Sequence, residues 1–135
     1  MNSNLSFQES MMAGLKAAGA ATLINAILFL ATKSAGIITD DIHVQPDQPL
    51  TIMPVMLGSI FPALIGSLVF FIMEKFSAKG FANFRILAIV LLIISFASPF
   101  MGIKGVTTGY ALVLCLMHAA VAIPLLYFIG KAKGN

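Results

Sequence analysis

The sequence predicts an all-α fold, a transmembrane four-helix bundle, and three observations predict it. Of the 135 residues, 59% are hydrophobic and only 10% are charged, with a mean hydropathy of +1.00; a water-soluble domain carries roughly 25% charged residues to cover its surface. Four apolar runs reach the ~20 residues needed to cross a hydrocarbon core as a helix. No run alternates apolar and polar residues as a lipid-facing barrel strand does, and in lipid a helix satisfies its own backbone hydrogen bonds within one segment. One membrane domain over residues 1–135 is the expectation at this length.

The first run covers residues 13–38 and is interrupted only by Lys16 and Lys33. Ahead of it, Ser6-Phe7-Gln8-Glu9 fits a capping box, so the helix is expected to begin before the bilayer does. A cleaved signal peptide has a shorter apolar core and a more basic flank; this run is read as a retained helix. Residues 39–50 form a first loop holding Asp40, Asp41, His43, Asp47 and two prolines. The second run, 52–73, has Thr51 as its expected cap and Pro54 in its first turn, where a missing N–H is harmless.

A second loop, 74–83, contains Glu74, Lys75 and Lys79, and Asn83 is the expected cap of the third run, 84–103. A tight turn at Gly102-Ile103-Lys104-Gly105 leads to the fourth run, 106–130, capped by Thr107 or Thr108. Pro62, Pro99 and Pro124 lie deeper and are expected to bend their helices. Tryptophan is absent, which leaves Tyr110 and Tyr127, near opposite ends of the last run, as the candidate interfacial anchors.

Four spans put both termini and the second loop on one side. That side holds Lys16, Lys75, Lys79, Arg85, Lys131 and Lys133, against Lys33 and Lys104 on the other. By the positive-inside rule both termini are expected in the cytoplasm, with the chain in the cell inner (plasma) membrane. The basic residues flank apolar runs, a pattern that suits lipid headgroups rather than nucleic acid.

Polar side chains inside the runs carry the functional signal. His118 stands twelve residues from either end of the fourth run, with Asn25 and Ser95 at a similar predicted depth in the first and third. Ala111, Cys115, Ala119 and Ala122 share a face with His118, while Gly14, Ala18 and Ala21 accompany Asn25. Gly58, Pro62 and Gly66 form a stripe on the second run, and Ala88, Ser95, Pro99 and Gly102 one on the third. Small faces let membrane helices approach closely, and these are expected to meet at the bundle centre. The cluster Asn25, Ser95 and His118 is then either interhelical glue or a pocket lining that binds a ligand.

Other chemistries lack parts. No carboxylate lies inside any predicted run, so a carboxylate proton relay is missing its usual member. Haem commonly takes a second axial ligand beside histidine; Met117 points about 100° away from His118 along the helix, which leaves only Met56 of the second run. Asp40, Asp41, His43 and Asp47 are read as a solvated acidic loop rather than a zinc site. Cys115 has no partner for a disulfide and is read as a small packed hydrophobe. No phosphate loop or nucleophile elbow is present. No cofactor, metal or catalytic residue is expected, although His118 as acid or base of a small membrane enzyme is the least favoured alternative.

Several segments together carry a resemblance: Asn25 in the first run, the outer loop DDIHVQPDQP, ISFASPF closing the third run, and LMHAAVAIP in the fourth. Over nearly its full length the chain resembles a family of small bacterial four-helix membrane proteins bearing a domain of unknown function. Ser95, Ser98, Pro99, Met117 and His118 are the most telling matches. The resemblance implies the architecture and no established activity. The expected function is binding or passing a small lipophilic molecule; the alternative is an accessory subunit of a larger membrane complex. Expected partners are the lipid bilayer, a lipophilic ligand, and a second copy or another membrane protein.

Overall fold

The computed structural model describes residues 4–134. Its elements run α1 (Phe7–Ser34), β1 (His43–Gln45), β2 (Gln48–Pro49), α2 (Ile52–Phe76), α3 (Gly80–Ser95), α4 (Ala97–Gly102) and α5 (Thr108–Lys133). With α3 and α4 forming one span, four helices among the described residues are long and apolar enough to cross a membrane. The chain is thus an all-α four-helix membrane protein, with one small hairpin.

Local chemistry explains the ends. Ser6 caps α1 through a reciprocal capping box, its backbone N–H donating to Glu9 at 2.8 Å and the Glu9 N–H to Ser6 Oγ at 3.2 Å. The helix stops at Ser34, short of the apolar run, because Gly36 takes a left-handed conformation with φ of 74°. The Ile37 N–H then reaches back to the Thr32 carbonyl at 2.9 Å and the Gly36 N–H to that of Lys33 at 3.0 Å, a Schellman closure. Thr107 caps α5 by accepting the Tyr110 N–H at 3.2 Å. Thr51 holds the cap position of α2 without a side-chain bond.

Three sequence expectations change. Glu74 belongs to α2, which runs on to Phe76, rather than to the loop. Helix α3 starts at Gly80, and Asn83 is not its cap; its amide instead donates to Ser77 Oγ at 2.9 Å. Tyr110 is fully buried, so only Tyr127 remains exposed as an interfacial aromatic. The first loop is also more ordered than an open acidic loop. Ile38, Ile42 and Leu50 tuck inward, while β1 and β2 pair antiparallel around Asp47, whose φ is 61°. Its acids stay outside, with Asp40 paired to Lys33 at 2.9 Å.

Helix α1 is the central stave. Its small face, from Ala13 and Gly14 through Ala17, Ala18 and Ala21 to Asn25, is buried against α2 and α5. Lipid tails are as apolar as these residues, so close van der Waals packing holds the helices rather than a hydrophobic driving force. Two apolar cores result. One, at the termini end, includes Ala17, Ala63, Phe70, Phe84 and Ile129. The other lies under the hairpin and includes Phe29, Ile38, Leu50, Tyr110 and Met117. The remaining large apolar residues, such as Leu23, Ile27, Ile86 and Ile93, point outward, where lipid is their solvent.

The third span is attached mainly at its two ends. At the termini end Phe84 packs edge-on to Phe70 at 5.4 Å, and Phe81 lies where Gly130 leaves room. At the hairpin end the helix breaks at Phe96, Pro99 is buried, and the Cys115 thiol donates to the Phe96 carbonyl at 3.5 Å. Pro99 has no N–H to return to the Ser95 carbonyl, which accounts for the break. Between these attachments the span stands away from its neighbours.

Candidate functional site

That separation leaves a groove of about 560 Å³ between α2, α3 and α5, with Asn25 of α1 on its floor. It runs from Leu50 and Pro54 below the hairpin to Val69 and Phe84 near the termini end. Exposed Ile65, Leu87 and Leu91 lie on its rim, so its mouth opens on the outside of the bundle. Almost all of the lining is aliphatic or aromatic. The polar side chains on it are Asn25, Ser95 and His118.

Each is positioned differently. Asn25 is 2% exposed, and its amide donates to Ser59 Oγ at 2.9 Å and to the Met117 carbonyl at 3.1 Å. It thereby ties α1 to both α2 and α5 at the waist between the two apolar cores. Because a carbonyl can only accept, the contact with Met117 fixes which end of the amide is nitrogen. Asn25 Oδ1 is left buried without a partner among the described residues. The half-buried Ser95 hydroxyl donates to the Leu92 carbonyl at 2.7 Å. His118 is exposed toward the groove, and its Nδ1 is 2.6 Å from the Leu114 carbonyl one turn back.

The three residues expected to cluster therefore line one groove, but no hydrogen bond joins any two of them. Counted along their helices, all three lie nearer the hairpin end than the termini end. Asn25 lies nine residues before the end of α1, and Ser95 seven before Gly102. His118 lies ten residues after Thr108 and fifteen before Lys133. At 1.5 Å per residue the polar level is roughly 10–15 Å from the hairpin ends. The offset arises because α1 and the third span start and end earlier than their apolar runs, while α5 starts and ends later than its own.

Sequence reasoning missed Ser59, the partner that α2 offers Asn25. Its hydroxyl donates to the Val55 carbonyl at 2.8 Å while its oxygen accepts from Asn25. The available signal was the stripe Val55, Ser59, Ala63, Ser67, Phe70 and Glu74, which is the buried face of α2. Gly58, Pro62 and Gly66, expected at a helix contact, all line the groove, and of the two glycines only Gly66 also makes that contact, since a Cβ there would meet Leu125 of α5 at 2.5 Å. A Cβ at Gly58 would meet nothing within 4 Å, so this glycine widens the space rather than permitting a helix to touch.

Against known proteins, the family of unknown function DUF6069 matches residues 6–133. No curated protein and no solved structure matches the chain.

Proposed function

Since the chain belongs to the DUF6069 family, whose function is unknown, we propose its role from its own groove: it binds, and gives passage to, a small lipophilic molecule. One observation carries the reading. An apolar groove of about 560 Å³ opens on the lipid-facing side of the bundle and holds three polar side chains at one level. Ligand pockets of about 300–1,000 Å³ characteristically combine an apolar lining with a few polar groups that fix orientation. A side mouth lets a lipophile enter from the bilayer without crossing water.

The sidedness of the basic residues supports a chain with both termini and the Ser77–Lys79 turn in the cytoplasm of the cell and the hairpin outside. The polar level then lies in the outer half of the membrane. A green fluorescent protein fused after Asn135 is expected to fluoresce, and alkaline phosphatase fused there to be inactive; the opposite pair reverses the orientation.

Native mass spectrometry of the detergent-purified chain tests the binding reading. Wild type is expected to carry a co-purifying small molecule that His118→Ala loses. Identical spectra, with only a lower melting temperature for the variant, would make His118 structural. A co-purifying membrane protein in place of a small molecule would favour the accessory-subunit reading.

A further inference from the structure

We infer that the groove selects a neutral lipophile bearing a hydroxyl, an alcohol or a phenol, because its polar side chains present acceptors and no free donors. The inference rests on the groove being the ligand site. Both amide protons of Asn25 are taken, by Ser59 Oγ and the Met117 carbonyl, and Oδ1 remains without a partner. The Ser95 hydrogen is given to the Leu92 carbonyl, which leaves the Oγ lone pairs. Only an N–H can bond the Leu114 carbonyl, so in the neutral ring of His118 the proton sits on Nδ1 and Nε2 is an acceptor.

The backbone around the groove follows the same pattern. At the start of α2, where free N–H groups are expected, Pro54 has none and the Val55 N–H is bonded to the Thr51 carbonyl at 3.5 Å. Farther along, Pro62, which also lines the groove, has no N–H to offer. Among the described residues, no Lys or Arg lines the groove to hold a carboxylate or phosphate, and no Asp or Glu lines it to balance an ammonium. A ketone or ether would set its oxygen against acceptors. A hydroxyl supplies the proton the site lacks, with His118 Nε2 and Ser95 Oγ as the receiving atoms.

The test uses two probes that differ only in that proton, 4-dodecylphenol and its methyl ether 4-dodecylanisole. Each is titrated into the full chain in lipid nanodiscs, with the bound fraction read by native mass spectrometry. Wild type is expected to prefer the phenol by at least about fivefold, a ratio equivalent to about 1 kcal/mol. His118→Leu combined with Ser95→Ala is expected to abolish the preference while binding the ether as wild type does, which reports an intact groove. Gly58→Leu, which fills the groove, is expected to weaken both probes. Equal binding of the two probes to wild type, lost in Gly58→Leu, would overturn the donor selection and leave the groove as a site. A preference that persists in the double variant would overturn the assignment to His118 and Ser95. Undiminished binding to Gly58→Leu, or no binding of either probe, would overturn the groove reading and this inference with it.

Discussion

Glu74 and Lys133, fifty-nine residues apart, form an ion pair that joins the last turn of α2 to the last turn of α5, with side chains only 4% and 7% exposed. Gly80 makes the burial possible. The start of α3 passes so near Glu74 that a Cβ on residue 80 would sit 2.5 Å from the Glu74 Cα. Three spans thus converge on one carboxylate. Removing one member of a buried pair costs more than the pair contributes, because a desolvated charge is left behind. Lys133→Met is expected to destabilise the protein by about 3 kcal/mol. Glu74→Leu combined with Lys133→Met should recover most of that loss. Thermal melts in one detergent decide it; a double variant as unstable as the single would show that the geometry of the pair, not the stranded charge, carries the cost.

The contact of α1 with α2 leads to a second prediction. A Cβ on Gly14 would overlap the Ser67 hydroxyl and approach the Ser67 Cβ to 2.6 Å, whereas one on Gly19 of the same helix would meet nothing within 4 Å. Overpacking of this kind costs about 1–3 kcal/mol, so Gly14→Ala is expected to lower stability. Gly19→Ala is expected to raise it by about 0.5–1 kcal/mol, the ordinary helix benefit of alanine over glycine. Parallel melts check both, and similar behaviour of the two variants would contradict the close approach.

These glycines mark what the sequence can and cannot disclose. The four spans were legible because hydropathy and length alone impose them. The buried face of α1 was legible too, since Gly14, Ala18, Ala21 and Asn25 share one side. The stripe Gly58, Pro62 and Gly66 has the same spacing and a mixed fate: Gly66 lets Leu125 of α5 approach, while Gly58 bounds open space. Periodicity tells which residues share a face, not whether that face meets a helix or bounds a space. Asn25 and His118 stood out because polar groups are costly in lipid. Ser59 did not, because a serine that donates to its own helix is cheap there and gives no warning that its oxygen serves a neighbour. Glu74 was read as loop because its charge ended the apolar run, while its partner lay at the far end of the chain.

Tyr110 offers a test of the core beneath the hairpin. Its ring is fully buried among residues that include Phe29, Ile38 and Leu50, and its hydroxyl has no hydrogen-bond partner among the described residues. An unsatisfied buried hydroxyl costs about 1–3 kcal/mol. Tyr110→Phe keeps the ring and removes that penalty, so the variant is expected to melt at the wild-type temperature or above it. A lower melting temperature would mean the hydroxyl has a partner.

The hairpin's response to acid depends on Asp41. A hydrogen bond from the Thr39 side chain, then one from its own backbone, and last the nearby His43 charge hold this carboxyl below the usual 3.8. A carboxyl with a depressed value in the folded chain stabilises the fold at every pH above its ordinary value and loses that contribution only as pH falls through the lowered one. The loop is therefore expected to feel no effect of Asp41 between neutrality and about pH 4, and to loosen below it. Asp41 is fully exposed, so the change is local rather than a global unfolding. Carbon-13 NMR of the aspartate carboxyls follows it directly: Asp41 should titrate below 3.8, and Thr39→Val, which removes the largest cause, should move its midpoint up toward that value. A midpoint that does not move would take the hydroxyl of Thr39 out of the account.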